Sequence, residues 1–431
     1  MFSELASKPH SLRKKMISHI YSKSYLQSSI PLRHQTASIL HNRLLPLLAS
    51  STFTSTSSSP SLPDGRSGSI NVQSVFLAAS MDFISAYIHG LARSTDFLRD
   101  EGYRSHWLRL YNARNEHHFW PQELPGLTKT LDWIGIKLVD GFVDQANAEL
   151  AAWNWGLCEK SKAFVFADNS AGLRASRADE KKAGLQVMKM RDADDPADEP
   201  VVFKAVHAGI DKEGATQGTH SVLYPTAVLE RDKTVASELF DHVLAGQETS
   251  GITLTYLAHH LSRNPALQSR LRDELLTLDP PLVHHYNGAA HGSSGDKVQE
   301  EIPSPRSLDA LPLLHACLLE TLRLNAPIPG PQPRRTPHPS CLLSGYEVPG
   351  GVRVAALAHS LHRAEDVFAE ADKWRPERWL ECSDEKKREM MRWFWAFGSG
   401  GRMCIGSNFA VQGMASAFLS LFFGSCLLIE L

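Results

Sequence analysis

The chain has 431 residues, of which 42% are hydrophobic and 21% are charged, so it can bury a large core. The formal net charge is −2, which gives no reason to expect a nucleic-acid partner. The six cysteines are scattered without a Cys-x-x-Cys pair. This spacing argues against a disulfide framework or a zinc site and fits a reducing compartment.

The N-terminal stretch is polar and basic over residues 1–16, with neither a signal peptide nor a membrane span. Helical apolar spacing follows it. His10 and Lys14 are four residues apart and therefore share one helix face. That face is either an ordinary basic surface or a place to bind an anionic group. A Ser/Thr-rich segment at about 49–70 predicts a flexible loop.

The next part of the chain predicts further helices. Residues 72–90 predict a core helix rather than a membrane span, because polar residues such as Asp82 interrupt the apolar pattern. Trp107 and Trp133 belong to a set of aromatic residues that we expect to fill the core rather than line a pocket. The charged stretch at about 168–200 predicts a second, solvated loop.

A long helix is predicted over residues 235–263. Gly246 weakens it by about 1 kcal/mol relative to Ala. The Thr249 hydroxyl can bond the carbonyl four residues earlier, and a Gly with a Thr at this spacing is a known cause of local kinking. Glu248 lies beside it and could exchange protons. Alone, the same residues are more often packing devices.

A third flexible loop is predicted at about 281–307, and a helix from 308 to 324 follows it. Glu320 and Arg323 are three residues apart on that helix, so their side chains can meet on one face. After the helix, residues 345–354 predict a small β-hairpin.

The stretch from Phe397 to Gly406 is a glycine-rich loop around one cysteine, Cys404. Its glycines permit positive φ and close approach of the backbone to a flat ligand. A helix start follows the loop, and its N–H groups can stabilise a thiolate at Cys404. Arg402 can reach an anionic group beside a metal. The apolar run at 409–429 predicts a buried helix rather than a membrane span.

The order Phe397, Gly at +3, Arg402 at +5, Cys404 at +7 and Gly406 at +9 resembles the haem-thiolate signature of the cytochrome P450 family at every fixed position. The resemblance implies a mainly α fold, a helical prism around haem with small β-sheets, as a single domain over 1–431. It also implies that Cys404 is the axial ligand of haem b iron, as a thiolate that favours O–O cleavage.

The same resemblance assigns expected roles to other residues. Gly246, Glu248 and Thr249 would manage oxygen and protons over the haem. The haem-binding residues would be Cys404, Arg402, Arg334, Phe397, Gly398, Gly406 and Lys14, in which Arg402, Arg334 and Lys14 hold propionates. Glu320, Arg323 and Arg378 would form a buried structural triad that is needed for haem incorporation rather than for catalysis.

The implied activity is oxygenation of a small lipophilic molecule with O2 and electrons from an NADPH-dependent reductase. The resemblance to fungal members implies a role in secondary metabolism, and the family resemblance implies membrane association at the cytosolic face of the endoplasmic reticulum. Relative to the family pattern, the chain looks incomplete at both ends, since the N-terminal anchor and the last strands are missing. Two alternatives stay open: a haem-thiolate isomerase or dehydratase without net oxygenation, and a truncated, non-catalytic fragment.

Overall fold

The computed structural model describes residues 6–52, 71–116, 119–167, 190–279 and 302–424. Helices dominate these residues, which confirms the prediction of a mainly α fold with small β elements. In chain order the α-helices are α1 Ser7–Ile17, α2 Lys23–Ser28, α3 Ile30–Ile39, α4 Leu45–Thr52, α5 Val72–His89, α6 Glu101–Glu116, α7 Phe119–Glu123, α8 Pro125–Trp133, α9 Gly141–Val165, α10 Val201–Gln217, α11 Arg231–Ser262, α12 Pro265–Leu275, α13 Pro305–Asp309, α14 Pro312–Leu324, α15 Ala358–Leu361, α16 Asp384–Trp393 and α17 Ser407–Gly424.

Shorter helical turns connect several of these helices. The 3₁₀ turns are Ser18–Tyr21, Leu91–Arg93, Pro196–Asp198, Gly218–His220, Pro376–Trp379 and Gly400–Arg402, and the π-helical turns are Leu40–Leu44 and Tyr224–Val228. Within the described ranges, none of the helices combines the length and the apolar composition that crossing a bilayer requires.

Among the described residues, the β structure consists of two separate antiparallel pairs. Strand β1, Pro331–Arg335, pairs with β4, Arg353–Leu357, and β2, Ser340–Leu343, pairs with β3, Tyr346–Pro349. The predicted hairpin at 345–354 is therefore wrong, because that range contains β3 and the start of β4, which belong to different sheets. The actual hairpin turns between β2 and β3.

Positive φ values explain the turn of that hairpin. Ser344 has a φ of 48° and Gly345 a φ of 85°, the left-handed pair that a two-residue hairpin turn needs. Gly351, with a φ of 87°, lies between β3 and β4, where the chain changes from one sheet to the other.

Contacts divide the chain into two compact units. The first comprises Met1–Ile20, Ser29–Leu47 and Met81–Ala245, and the second comprises Tyr21–Ser28, Leu48–Ser80 and Gly246–Leu431. The single domain over 1–431 stays a prediction. Each of the three predicted loops, at about 49–70, 168–200 and 281–307, lies mostly outside the described residues.

In the first unit, one predicted loop is partly wrong. Residues 190–200 include a 3₁₀ turn at Pro196–Asp198, and Gln35 donates from Nε2 to the carbonyls of Ala197 and Glu199, at 3.1 Å each. The aromatic prediction is right for Trp107, which is 2% exposed, and wrong for Trp133, which is 85% exposed at the end of α8.

In the second unit, one cluster of buried side chains lies where α14 packs against the segment that follows the sheets. Its buried members are Ala316, Val367, Phe368, Ala371, Trp379 and Met390. Phe368 and Trp379 contact each other with ring centroids 6.2 Å apart. Apart from Ala316 of α14, its members come shortly before the cysteine loop in the chain, so the cluster supports the segment from which the loop starts.

Candidate active site

Cys404 lies in the loop between the 3₁₀ turn Gly400–Arg402 and the N-terminus of α17. Its side chain is exposed. Its backbone N–H donates to the Phe397 carbonyl at 2.8 Å, which closes the loop across seven residues. Ser407 then begins α17, whose unsatisfied N–H groups are oriented to favour negative charge near the helix start. The loop therefore presents a thiol outward beside a helix N-terminus.

Two of the loop glycines have the positive φ that the sequence suggested. Gly398 has a φ of 67°, and a Cβ added there would lie 2.7 Å from Oε1 of Gln332. Gly400 has a φ of 70°. At Gly406, an added Cβ would lie 4.0 Å from the Cys404 Sγ. The missing side chains at these positions leave the thiol accessible to a flat ligand.

Strand β1 anchors the loop through two side chains on one face. Arg334 donates from Nη2 to the Ser399 carbonyl at 3.1 Å, and Gln332 donates from Nε2 to the Trp395 carbonyl at 3.3 Å. Arg334 also contacts the carbonyl of Pro333. A guanidinium has five N–H donors, so donors remain for an anionic group, and the propionate role of Arg334 stays a prediction.

Cys404 is a single protein donor, which fits a metal group whose other ligands belong to a cofactor. Among the residues that the structure describes, no cluster of three or more His, Cys, Asp or Glu side chains could hold a metal ion. A single thiolate at Cys404 cannot form a protein-only metal centre, which needs several donors. Haem supplies four nitrogen ligands itself and requires one axial residue. Cys404, with the half-buried Arg402 two residues before it, fits that requirement.

Glu320, Arg323 and Arg378 are brought together in the interior of the second unit, with side-chain exposures of 0%, 0% and 4%. The Glu320 carboxylate accepts from Arg323 at 2.8 and 2.9 Å and from Arg378 Nε at 2.9 Å. It also accepts from the Arg375 backbone N–H and the Trp379 indole, both at 2.9 Å. One carboxylate thus receives five hydrogen bonds.

The two guanidinium groups use their other donors on backbone carbonyls. Arg323 donates to the carbonyls of His362 and Ala371, both at 2.7 Å. Arg378 donates to the Ala369 carbonyl at 2.7 Å. Because these carbonyls lie between residues 362 and 373, the triad holds the segment that leads to the cysteine loop. Its need for haem incorporation stays a prediction.

Gly246, Glu248 and Thr249 all lie on α11, which is helical without interruption from Arg231 to Ser262. Glu248 and Thr249 are half-buried. The Thr249 carbonyl accepts from the Thr253 hydroxyl at 2.9 Å. The kink and the proton-transfer roles stay predictions. Gly251 allows α11 to pack closely against α5, which the sequence did not reveal. A Cβ added at Gly251 would lie 2.7 Å from the Leu77 side chain of α5.

Lys14 lies in the last turn of α1, in the first unit, whereas the other predicted site residues lie in the second. Its propionate role stays a prediction. The neighbouring Arg13 donates to Glu238 at 2.6 Å within the first unit.

Sequence reasoning missed two residues near the loop. Tyr21 is buried. Its burial, and to a smaller extent the negative charge of Cys404, raise the pKa of its phenol above the ordinary range. Its carbonyl accepts from Asn408 at 3.2 Å, and its ring meets Phe409 edge-on. His362 is fully buried, and its Nε2 accepts from the Trp395 N–H at 2.7 Å. Both contacts join distant parts of the sequence, and no local spacing signals them.

Comparisons with known proteins give a consistent result. Residues 229–424 match the family model described as Cytochrome P450. A cytochrome P450 monooxygenase, cicH, from Emericella nidulans is 36% identical over 39% of this chain and 31% of its own length. The monooxygenase avaI from Aspergillus versicolor is 26% identical over 96% of this chain and 81% of its own length. The monooxygenase esdpH from Penicillium shearii is 33% identical over 42% of this chain and 33% of its own length. The matched part thus spans about a third of the first and third relatives.

Proposed function

This chain is a member of the cytochrome P450 family, and on that premise we propose that it is a haem-thiolate monooxygenase acting on a small lipophilic molecule. The observation that carries the proposal is the exposed Cys404 in a loop whose positive-φ glycines leave its thiol accessible. The mainly α fold with two small antiparallel sheets is consistent with the family.

Cys404 would hold the haem iron through its thiolate, and the loop fixes the position of Cys404 through the hydrogen bond from its N–H to the Phe397 carbonyl. When bound, the haem would supply the activation of O2 and the transfer of an oxygen atom to the substrate. Arg402 and Arg334 would bind the propionates, since a guanidinium pairs well with a carboxylate.

Proton delivery would come from α11. The Thr249 hydroxyl would supply protons to the reaction, and the half-buried Glu248 carboxylate would exchange protons with solvent. Gly246, which has no side chain, would leave room beside them for O2 and water. General acid help of this kind contributes roughly 10²–10⁴-fold to a rate.

The partners follow from the family. Two electrons would arrive from an NADPH-dependent reductase, and the protein would act at the cytosolic face of the endoplasmic reticulum membrane. A fungal metabolic pathway is the proposed setting, as the fungal relatives suggest. The chain would act as a single haem domain over residues 1–431.

The test is the carbon-monoxide difference spectrum of the reduced, purified protein. We expect a strongly red-shifted Soret band that disappears in Cys404→Ser and persists in Cys341→Ser, a control at a half-buried cysteine of strand β2. Absence of haem, or a band at the position of a neutral-ligand haem in the wild-type protein, would refute the proposal.

Incorporation of label from ¹⁸O2 into product would then separate oxygenation from isomerisation or dehydration. A product that forms without ¹⁸O would exclude monooxygenation, although a thiolate-type spectrum would still support the haem site.

A further inference from the structure

The backbone of Trp395, just before the cysteine loop, is held by hydrogen bonds at both its N–H and its carbonyl. Its N–H donates to Nε2 of His362 at 2.7 Å, and its carbonyl accepts from Gln332 at 3.3 Å and from the Gly398 N–H at 2.9 Å. Two residues later, Phe397 accepts the N–H of Cys404. The position of the Trp395 peptide therefore determines where the loop begins.

The contacts of His362 define one tautomer. A backbone N–H can only donate, so Nε2 must be the acceptor and carry no hydrogen. The proton is then on Nδ1, which lies 2.8 Å from the Arg323 carbonyl and donates to it. The ring is 0% exposed and stacks on Phe394, with centroids 5.5 Å apart and planes at 18°. Every polar atom of this histidine is used.

The charges around His362 favour its neutral form. Burial lowers the pKa of its imidazole to about 4, and the Arg323 and Arg363 charges act in the same direction. Glu320 and the Arg323 carbonyl oppose them. From the loop side, Phe394 and the Trp395 peptide contribute no charge. The acceptor at Nε2 is thus available throughout the neutral pH range.

We propose that His362 is a positioning residue for the Cys404 loop: its Nδ1–H tautomer connects the Arg323 carbonyl, at the buried triad, to the Trp395 N–H, where the loop begins. The connection requires an acceptor at the Nε2 position, and bulk alone does not replace it. The proposal rests on the proposed function only for its spectroscopic test, because the hydrogen bonds are formed by the chain itself.

Two substitutions separate the halves of this connection. In His362→Gln, the amide oxygen can occupy the Nε2 position and accept from Trp395, while the contact with Arg323 is lost. In His362→Asn, the shorter amide can donate to Arg323, but the Trp395 N–H loses its acceptor. His260→Gln is the control, because the half-buried His260 bonds Asn325 and stacks on Trp374, neither of which belongs to the Cys404 loop.

The first measurement is amide hydrogen exchange in ¹⁵N-tryptophan-labelled protein in its diamagnetic ferrous carbonyl form, or as purified if no haem is bound. Trp395→Phe identifies the Trp395 signal among the nine tryptophans. We expect slow exchange in wild type, His362→Gln and His260→Gln, and exchange at least about tenfold faster in His362→Asn, since a buried N–H without an acceptor is costly. Equal exchange in His362→Asn and His362→Gln would overturn the proposal.

The second measurement needs no folded variant. In ¹⁵N-histidine-labelled wild-type protein, the nitrogen shifts of His362 report which ring nitrogen carries the proton. We expect the Nδ1–H tautomer, without protonation until well below pH 6. An Nε2–H tautomer, or titration near the ordinary histidine pKa, would overturn the proposal even if both variants fail to fold.

The third measurement separates this inference from the proposed function. In haem-loaded protein, His362→Asn should move part of the carbon-monoxide band from the thiolate position to the neutral-ligand position, whereas His362→Gln should not. An identical spectrum for both variants would mean that His362 does not position Cys404. A wild type that lacks the thiolate band would refute the monooxygenase, and the two NMR tests would still decide the role of His362.

Discussion

The substitution Glu320→Gln should strongly destabilise the second unit. The Glu320 carboxylate accepts five hydrogen bonds, and its two charged partners, Arg323 and Arg378, are 0% and 4% exposed. Glutamine keeps the shape but loses the negative charge, and its NH2 group would face N–H donors. Removing one partner of a buried ion pair typically costs about 3–5 kcal/mol, because the remaining charge is buried without compensation. We expect a loss in that range.

The matched control is Glu377→Gln, which is the same chemical change at the residue next to Arg378 in the chain. Glu377 pairs with Arg270 at 2.9 Å, and Arg270 is 55% exposed. Partly exposed pairs contribute about 0–1 kcal/mol, so the control should lose no more than about 1 kcal/mol.

Urea unfolding monitored by tryptophan fluorescence gives both values, since Trp379 bonds directly to the Glu320 carboxylate and reports the environment of the triad. Haem content per protein is the second readout, and Glu320→Gln should lower it because the segment leading to the Cys404 loop is released. A loss below 1 kcal/mol in Glu320→Gln, or equal losses in both variants, would refute the argument that the buried charge holds this segment.

Three further predictions follow from the loop, the long helix and the buried histidine. Gly398→Ala should lower the free energy of unfolding in urea by about 1–2 kcal/mol, because the φ of Gly398 is 67°. Gly401→Ala should lower it much less, because Gly401 has no positive φ and no atom lies within 4 Å of the added Cβ. Equal losses in the two variants would contradict the argument from backbone strain. Thr249→Ala should release peroxide and uncouple NADPH use from product, while Thr249→Ser should stay coupled; unchanged coupling in Thr249→Ala would remove its hydroxyl from the proton route. Burial lowers the pKa of His362 from 6.5 to about 4 on folding, so the neutral ring contributes about 3 kcal/mol to the unfolding free energy above pH 6.5, and this contribution is lost as the pH falls to 4. His362→Gln should therefore flatten the plot of unfolding free energy against pH between pH 6.5 and 4. An unchanged slope of that plot would exclude His362 as its source.

The sequence predicted features that depend on local pattern. The helix predicted at 235–263 is Arg231–Ser262, and the helix predicted at 72–90 is Val72–His89. Both have apolar spacing long enough to exclude a strand. The cysteine loop was found for a different reason, because five fixed residue types at fixed spacing have little chance background.

Features that depend on distant contacts were not accessible from spacing. The chain passes from one small sheet to the other at Gly351, and β4 pairs with a strand some twenty residues earlier in the sequence. Local spacing does not show this pairing, and the predicted hairpin is therefore in the wrong place. The stretch 195–199 looked like a solvated linker because it is acidic, yet Gln35 of α3 binds its carbonyls. Charge alone describes a side chain's preference for water and carries no information about where the backbone is held.

The role of His362 shows the same limit within the site. The run His359-Ser-Leu-His-Arg363 was visible in the sequence, but only the structure shows that one of its two histidines bonds both the α14 carbonyl of Arg323 and the N–H of Trp395. A local motif can identify the residue that performs the chemistry. The residues that position it are defined by which carbonyls and N–H groups would otherwise be buried without partners.

Two separate elements hold the cysteine loop, and this arrangement suits a ligand that occupies the loop's open side. Strand β1 binds the loop carbonyls through Gln332 and Arg334, and His362 binds the Trp395 N–H from the triad side. Because the backbone is held at its polar groups, the loop keeps its order without side chains at its glycine positions. Weakening β1 by Gln332→Met and the triad side by His362→Asn should therefore give losses in unfolding free energy that are more than additive, since each anchor limits the movement that the other permits. Strict additivity would mean that the Trp395 peptide is held by each side independently.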